Sequence, residues 1–300
     1  MHLPLVNQFC WMRFADIPMS GAQRQRVYTH MRTHGRSMRE LFALSSTEFA
    51  AHFPTQDRAA WHCPIRYAYC KAALQRRRIM ERLFPINSDH YPDLLRRRLG
   101  DGAPPMLYQR GRVHLLRDRQ VAVIGRRDIR YEMRDLAEAV GSTLATAGYT
   151  VAVGYDTGIA ERAAAGALAA DGTVCAYPAS GLAGVVWRQS LRRFGWQRDH
   201  CLVSAFSPDQ PSSEAAAAAR NRIMVANSTA VVLLEAAPDR RASGRQYLNS
   251  VGAAQWAVDL DIPLFVLHPA AMPYRMPGNR DWLRRGSAGF RRMEELVGLL

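Results

Sequence analysis

From residue 121 onward, short apolar runs alternate with longer helical patterns, and this rhythm constrains the fold more than any other feature of the chain. The runs at residues 121–124 and 150–153 stop at Gly125 and Gly154, and a helical pattern at 131–147 separates them. Four further runs lie at 173–176, 201–205, 231–234 and 264–267, and further helical patterns at 159–170, 187–194, 213–227 and 245–258. Strands that alternate with helices form βαβ units. The sequence therefore predicts an α/β fold with an extended Rossmann-like, doubly wound parallel sheet.

Residues 1–84 have a different pattern, that of short helices. Helical spacing predicts helices at 22–38, 38–44, 46–53 and 65–84, with Ser45 or Ser46 as the N-cap of the third. Residues 85–119 show neither helical nor strand periodicity and contain Pro104-Pro105, so we expect a loop there. These patterns predict a small N-terminal helical domain over residues 1–84 and a Rossmann-like domain over residues 85–300.

The most unusual feature of the composition is its positive net charge. Forty Lys and Arg against 26 Asp and Glu leave +14. A balance this basic predicts a polyanionic partner, with nucleic acid first among them. For the cations of the predicted helix at 65–84, the alternative to binding such a partner is that they form a solvated helix face.

Cysteine usage and the lack of long apolar segments indicate the compartment. The five cysteines form no C-x-x-C pair, and an odd number cannot all pair within one chain. The N-terminal residues lack the pattern of a secretory signal, and no stretch approaches the roughly 18 apolar residues of a membrane span. We therefore expect a soluble protein of the reducing cytoplasm with no membrane partner.

The loops at the strand ends are the expected functional site, because ligands of doubly wound sheets bind beyond the carboxyl ends of the strands. The first loop is Gly125-Arg126-Arg127. Its glycine lets the backbone come close to a ligand, and its two arginines and the following helix N-terminus suit a phosphate. The alternative is a strand-ending glycine followed by two solvated arginines. The loop is not G-x-G-x-x-G, so no dinucleotide cofactor is expected.

The second loop is framed by Gly154 and Gly158. These glycines are predicted to belong to the same phosphate site. For the two polar residues between them, Asp156 and Thr157, the favoured interpretation is a cap on the next helix.

The third element is the stretch Arg220-Asn221-Arg222, and the fourth is the loop Ser243-Gly244. Within a helix, Arg220 and Arg222 point about 200° apart, so only one of them can face the crevice. The other is expected to pair with a carboxylate, for which Glu235 at the end of a predicted strand is a candidate.

No catalytic constellation stands out. The sequence contains no G-x-x-x-x-G-K-[ST], no G-x-S-x-G and no H-E-x-x-H motif. His62, Cys63 and Cys70 lack a fourth ligand at zinc spacing, and a buried cysteine on a helix explains this group better. The sequence predicts no catalytic residues, no metal and no cofactor.

Taken in order, the motifs resemble the DNA-processing protein A family (DprA, also called Smf) over nearly the whole chain. Each fragment is short, but the ordered set is specific. The matching fragments are residues 17–21, 91–95, 104–105, 107–108, 110–111 and 121–127, Gly154, Gly158-Ile159, residues 166–168, Arg220-Asn221-Arg222, residues 231–236 and Ser243-Gly244.

This resemblance implies a dimeric, extended Rossmann-like protein that binds single-stranded DNA without sequence preference and loads a RecA-type recombinase onto it in natural transformation. It places the first loop and the stretch at 220–222 in the basic DNA groove. The C-terminal winged helix of many members is not expected, because the sequence ends shortly after Pro277-Gly278-Asn279. Several departures indicate a divergent member. They are Arg126 for a small residue, Thr157 for arginine, Ala160 and Ala164 for Asp and His, and Ala205 for an acid.

The alternative class is a Rossmann-like nucleotide sensor, or a phosphoribohydrolase-type enzyme, that binds a nucleotide at the same strand ends. Enzymes of that kind carry a P-G-G-x-G-T-x-x-E stretch, which this sequence lacks. Its Glu235 stands at a strand end and not in a glycine-rich turn. We therefore favour a binding protein without catalytic activity.

Overall fold

A single mixed sheet organises the chain from residue 81 onward in the computed structural model, which describes residues 5–76, 81–186, 188, 191, 194, 200–237 and 249–300. Its strands are β1 (Glu81–Pro85), β2 (Met106–Gly111), β3 (Gln120–Gly125), β4 (Thr150–Gly154), β5 (Val174–Tyr177), β6 (His200–Ser204), β7 (Ala230–Glu235), β8 (Leu264–Leu267) and β9 (Ala288–Phe290). The spatial order is β1-β2-β6-β5-β4-β3-β7-β8-β9. β1, β2 and β6 pair antiparallel, and all the other neighbours pair parallel.

Seven of the described helices follow β1 along the chain, and four of them form two pairs that pack against this sheet. The helices are α7 (Asp93–Leu99), α8 (Tyr131–Thr146), α9 (Ile159–Ala169), α10 (Glu214–Ala226), α11 (Asn249–Asp259), α12 (Pro277–Arg284) and α13 (Met293–Leu299). α8 and α9 pack together against β3 and β4, while α10 and α11 form a second pair that contacts β3, β4 and β7. The predicted α/β fold with a doubly wound, mainly parallel sheet is confirmed.

The sheet reverses its strand order between β3 and β7. From β3 the chain proceeds outward through β4, β5 and β6, and it then returns past β3 to form β7, β8 and β9. β3 and β7 are therefore parallel neighbours from which the connecting segments diverge in opposite directions. Such a switch point opens a crevice beyond the carboxyl ends of the strands.

Short helices precede the sheet, as the sequence predicted. They are α1 (Leu5–Ala15), α2 (Gly21–His34), α3 (Met38–Phe42), α4 (Ser46–His52), α5 (Arg58–Trp61) and α6 (Pro64–Arg76). α2, α3 and α4 each begin at a serine capping box, and Ser45 is the N-cap of α4. Their aromatic side chains form the local core, in which Trp61 packs against Phe14, Phe49 and Phe53. None of the described helices combines the length and the apolar character that crossing a bilayer requires.

Two sequence predictions around residue 85 are wrong. The helix predicted to run to residue 84 is replaced at Glu81–Pro85 by β1, and the predicted loop at 85–119 contains α7 and β2. Leu83 and Phe84 are buried through pairing of β1 with β2. This long-range pairing outweighs the local helical pattern, which carries no information about it. The division of the chain into domains at residues 84/85 stays a prediction.

Asn279 joins the ends of β7 and β8 through its buried side chain. Its Oδ1 accepts the N–H of Ala236 at 2.9 Å, and its Nδ2 donates to the carbonyl oxygens of Leu234 at 2.9 Å and Leu267 at 2.8 Å. The side chain has no solvent exposure. One buried amide thus makes hydrogen bonds to three backbone groups at the ends of two strands.

We predict that Asn279→Ala lowers the free energy of unfolding by about 3 kcal/mol or more, because each buried polar group left without a partner costs about 1 to 3 kcal/mol. Urea unfolding measures the effect. Gln255→Ala is the matched control, since the amide of Gln255 makes an exposed hydrogen bond to Asp259 and its loss leaves no buried group unsatisfied. Equal stability of the two variants would contradict the role assigned to Asn279.

Candidate functional site

A crevice of about 260 Å³ lies at the switch point, beyond the carboxyl ends of β3 and β4. It is lined by residues 123–128, Gly154, Asp156, Thr157, Ala160, Ala217, Arg220, Asn221, Met224, Ala237, Ser250 and Ala253. Six of the predicted site residues therefore come together here: Gly125, Arg126, Arg127, Gly154, Arg220 and Asn221. Gly158 and Arg222 do not line it. Ser243 and Gly244 lie outside the described residues.

Arg220 forms the buried part of the crevice wall. Only 3% of the residue is exposed. Its Nη1 donates to the carbonyl oxygen of Tyr177 at 2.9 Å, and its Nη2 lies 2.6 Å from Oδ2 of Asp156. This guanidinium thus connects α10 to the ends of β4 and β5. A buried charge of this kind is stable only when it is paired and hydrogen-bonded.

Arg127 reaches the same carboxylate from the opposite side. Its Nη2 lies 3.0 Å from Oδ1 of Asp156, yet 54% of the Arg127 side chain is exposed. Burial by itself raises the pKa of Asp156, but the charges of Arg220 and Arg127 and the Arg220 hydrogen bond outweigh it and lower this pKa below its usual value. Asp156 is therefore a carboxylate at neutral pH, while Arg127 keeps donors that face solvent.

Arg126 belongs to a second acidic contact on the β7 side. Its Nη1 lies 3.5 Å from Oε1 of Glu235, and the hydroxyl of Tyr274 donates to Oε2 of the same carboxylate at 3.2 Å. The Arg130 guanidinium stacks over the Tyr274 ring, 4.5 Å from its centroid. Burial and the Glu235 charge both raise the pKa of the Tyr274 hydroxyl. Tyr274 thus remains a neutral donor that holds Glu235 in place.

Arg222 lies on the other side of α10, as the helical period predicted. Its guanidinium stacks over the Trp256 ring at 5.0 Å. It also lies beside Gly102, where an added Cβ would come within 2.6 Å of Arg222 Nη2. The predicted pairing of Arg220 or Arg222 with Glu235 is wrong, because Arg220 pairs with Asp156 and Glu235 contacts Arg126 and Tyr274 instead.

The glycines of the second loop shape the crevice by leaving space. At Gly154 an added Cβ would lie 2.0 Å from Nη1 of Arg220. Gly158 has φ +75°, and an added Cβ would lie 2.3 Å from the carbonyl oxygen of Arg127. Gly158 thus lets the first two loops pack against each other. It is also the N-cap of α9, which has no side-chain cap, so the capping role predicted for Asp156 or Thr157 is wrong.

Asp156 is the residue at this site that sequence reasoning missed as a binding-site component. The available signal was an acid placed between two segments that each supply an arginine, the first loop and the stretch at 220–222. Its partners come from 29 residues upstream and 64 residues downstream (156 − 127 and 220 − 156), so no local pattern reveals the contacts. Among the described residues, no three His, Cys, Asp or Glu side chains are arranged to hold a metal ion.

One family model matches most of the chain, and solved structures share its fold. A sequence model described as DNA recombination-mediator protein A matches residues 82–299. The X-ray structure of DNA processing protein A from Streptococcus pneumoniae is similar to this chain with a TM-score of 0.76 and 20% identity, covering 99% of this chain and 98% of that one.

A second structure, of DNA processing protein A from Helicobacter pylori, concerns the single-stranded DNA binding mode of that protein. It has a TM-score of 0.59 and 20% identity, and covers 73% of this chain and 94% of its own. At these identities the structural likeness establishes the fold alone. The search among curated proteins found no match.

We predict that Arg220 and Arg127 differ sharply in their effect on stability. Arg220→Ala should lower the free energy of unfolding by about 3 to 5 kcal/mol, because it removes one partner of a buried ion pair. Arg127→Ala should cost less than about 1 kcal/mol, because its ion pair is largely exposed and Arg220 remains to neutralise Asp156. Urea unfolding of both variants at pH 7 measures the difference. Similar losses would mean that both arginines are structural.

Proposed function

This chain belongs to the DNA recombination-mediator protein A family, and from that premise we propose that it binds single-stranded DNA at the switch-point crevice. The proposed DNA-contacting residues are Gly125, Arg126, Arg127, Gly154 and Asn221. Arg220 and Gly158 position them, and Arg222 is assigned to packing on Trp256. The single observation that carries the proposal is the half-exposed Arg127 at the mouth of the crevice.

Arg127 also lines a second cavity, of about 660 Å³, that adjoins the first. Tyr155 and Arg188 line this second cavity, with the Arg188 guanidinium 5.3 Å from the centroid of the Tyr155 ring. The two cavities are neighbours, since Arg127 and Asp156 line both. Two neighbouring cavities suit several successive nucleotides better than one mononucleotide. Aromatic rings beside cations are the groups that bind bases and phosphates of single strands.

The charge of the whole chain supports the same proposal. A net charge of +14 attracts a polyphosphate backbone irrespective of its sequence. This property fits a protein that accepts any incoming strand. It also predicts that affinity depends on salt, since each neutralised phosphate releases counterions.

The biological role follows from the family premise. We propose that the bound strand is protected and passed to a RecA-type recombinase during natural transformation or recombination, and that the protein acts as a homodimer. All five cysteines are free thiols. Free thiols suit the reducing cytoplasm, where we place this activity.

We predict that the chain binds fluorescein-labelled oligo-dT and that the logarithm of its binding constant falls as the logarithm of the salt concentration rises. The slope should be roughly −0.7 per phosphate contact. Arg127→Ala should weaken binding by about tenfold to a hundredfold, the equivalent of a lost charged hydrogen bond of about 1.5 to 3 kcal/mol. Fluorescence polarisation at salt concentrations between about 50 and 300 mM measures both quantities. All variants are measured with the same oligonucleotide.

Arg162→Ala is the matched control. Arg162 is a partly exposed arginine paired with Glu138 at 2.8 Å on α8 and α9, and it does not line the crevice. Arg162→Ala removes one positive charge, as Arg127→Ala does. Because Arg162 lies outside the crevice, its substitution should lower the affinity for oligo-dT far less. Equal effects of the two substitutions would show that binding reflects net charge and not this site. Tight binding of a mononucleotide with none to oligo-dT would favour the nucleotide sensor instead.

We also predict that no reaction is catalysed at the crevice. Asp156, which lines it together with Asp128, is held as a carboxylate by two arginines, so it cannot donate a proton at neutral pH. Glu235 is engaged by Arg126 and Tyr274. Incubation with nucleoside monophosphates or DNA should release no base above a buffer control. Product release that Glu235→Gln abolishes would support the phosphoribohydrolase-type alternative.

A further inference from the structure

We propose that Asp156 limits the affinity of the crevice for DNA by occupying the position that a phosphate would take between Arg127 and Arg220. This inference rests on the proposed function, because it concerns how tightly the same site holds its ligand. It assigns to Asp156 the role of an internal competitor. Asp156 contacts two arginines from two separate elements, Arg127 in the loop after β3 and Arg220 in α10.

The geometry of this carboxylate is that of a bound oxyanion. One oxygen, Oδ1, lies 3.0 Å from Nη2 of Arg127, and the other, Oδ2, lies 2.6 Å from Nη2 of Arg220. Guanidinium groups bind phosphate oxygens in the same way and at similar distances. A phosphate that approached both arginines would therefore need the place that Asp156 already holds.

Asp156 is also accessible from both cavities. It lines the 260 Å³ crevice and the adjoining 660 Å³ cavity, and 26% of its side chain is exposed. A phosphate at either mouth would meet the exposed donors of Arg127 with the Asp156 charge close behind them. At such short range, like charges repel strongly, because the protein wall screens them less than water does.

The local charge balance explains why such a competitor matters. Three arginines line the crevice, Arg126, Arg127 and Arg220, and so do two carboxylates, those of Asp128 and Asp156. The net charge of this group is +1, whereas the whole chain carries +14. The crevice itself is therefore almost neutral. Removing the Asp156 charge would raise it to +2 at the one point where a phosphate would meet two guanidinium groups.

Asp156→Asn tests this inference because the amide keeps an oxygen that can accept from Arg220 while the negative charge is lost. We expect it to bind oligo-dT roughly five to fifty times more tightly at low salt. The gain should shrink as salt rises, because its origin is electrostatic. Fluorescence polarisation measures the affinities, and thermal unfolding shows that each variant is folded.

Glu138→Gln is the matched control. It also removes one negative charge and releases one arginine, Arg162, but that pair lies on α8 and α9 and lines neither cavity. Its affinity for oligo-dT should stay within about twofold of the unaltered chain, since the added charge is distant and screened. An equal gain from Glu138→Gln would assign the effect to net charge and overturn the role of Asp156.

The double variant Asp156→Asn with Arg127→Ala identifies the route of the effect. If Asp156 competes for Arg127, most of the gain disappears in this background. Should Asp156→Asn unfold, Asp156→Ser is the second variant, since its hydroxyl can also accept from Arg220. Unchanged or weaker binding by a folded Asp156 variant overturns the inference while the proposed function stands. Absence of oligo-dT binding by the unaltered chain and by all variants overturns both.

Discussion

The crevice depends on one buried guanidinium. Arg220 is almost fully enclosed, so its charge has to be neutralised inside the protein. The carboxylate of Asp156 and the carbonyl oxygen of Tyr177 meet this demand, and in doing so they connect α10 with the ends of β4 and β5. Gly154 leaves the space that the guanidinium occupies. The wall of the crevice is thus set before any ligand arrives, as a preorganised binding site requires.

The site separates two electrostatic tasks that a basic protein usually combines. The chain as a whole is strongly cationic, which draws a polyanion toward it over a distance. The arginines at the switch point are mostly matched by Asp156 and Glu235, so close contact there depends on hydrogen-bond geometry more than on charge. A protein arranged in this way can attract a strand quickly and still release it.

The sequence allowed most of the sheet to be predicted, because a parallel core strand leaves a local trace. The runs at residues 121–124, 150–153 and 231–234 became β3, β4 and β7, which are buried on both faces. β1 and β2 could not be predicted in this way. They are an antiparallel addition at one edge, held by pairing over about 25 residues of chain, and their sequences show no strand period. Long-range pairing has no local signature.

The glycine-ended strands, the helical spacing and the basic balance were therefore enough to determine the fold class. They also placed two arginine-bearing segments, the first loop and the stretch at 220–222, at one edge of the sheet. The sequence also determined that Arg220 and Arg222 face apart, since the helical period requires it. Only the tertiary structure decided which one enters the crevice, and that Asp156 stands between Arg127 and Arg220. The reason is physical. The partners of a charge are chosen by distance and burial, and these exist only after segments far apart in the chain have packed together.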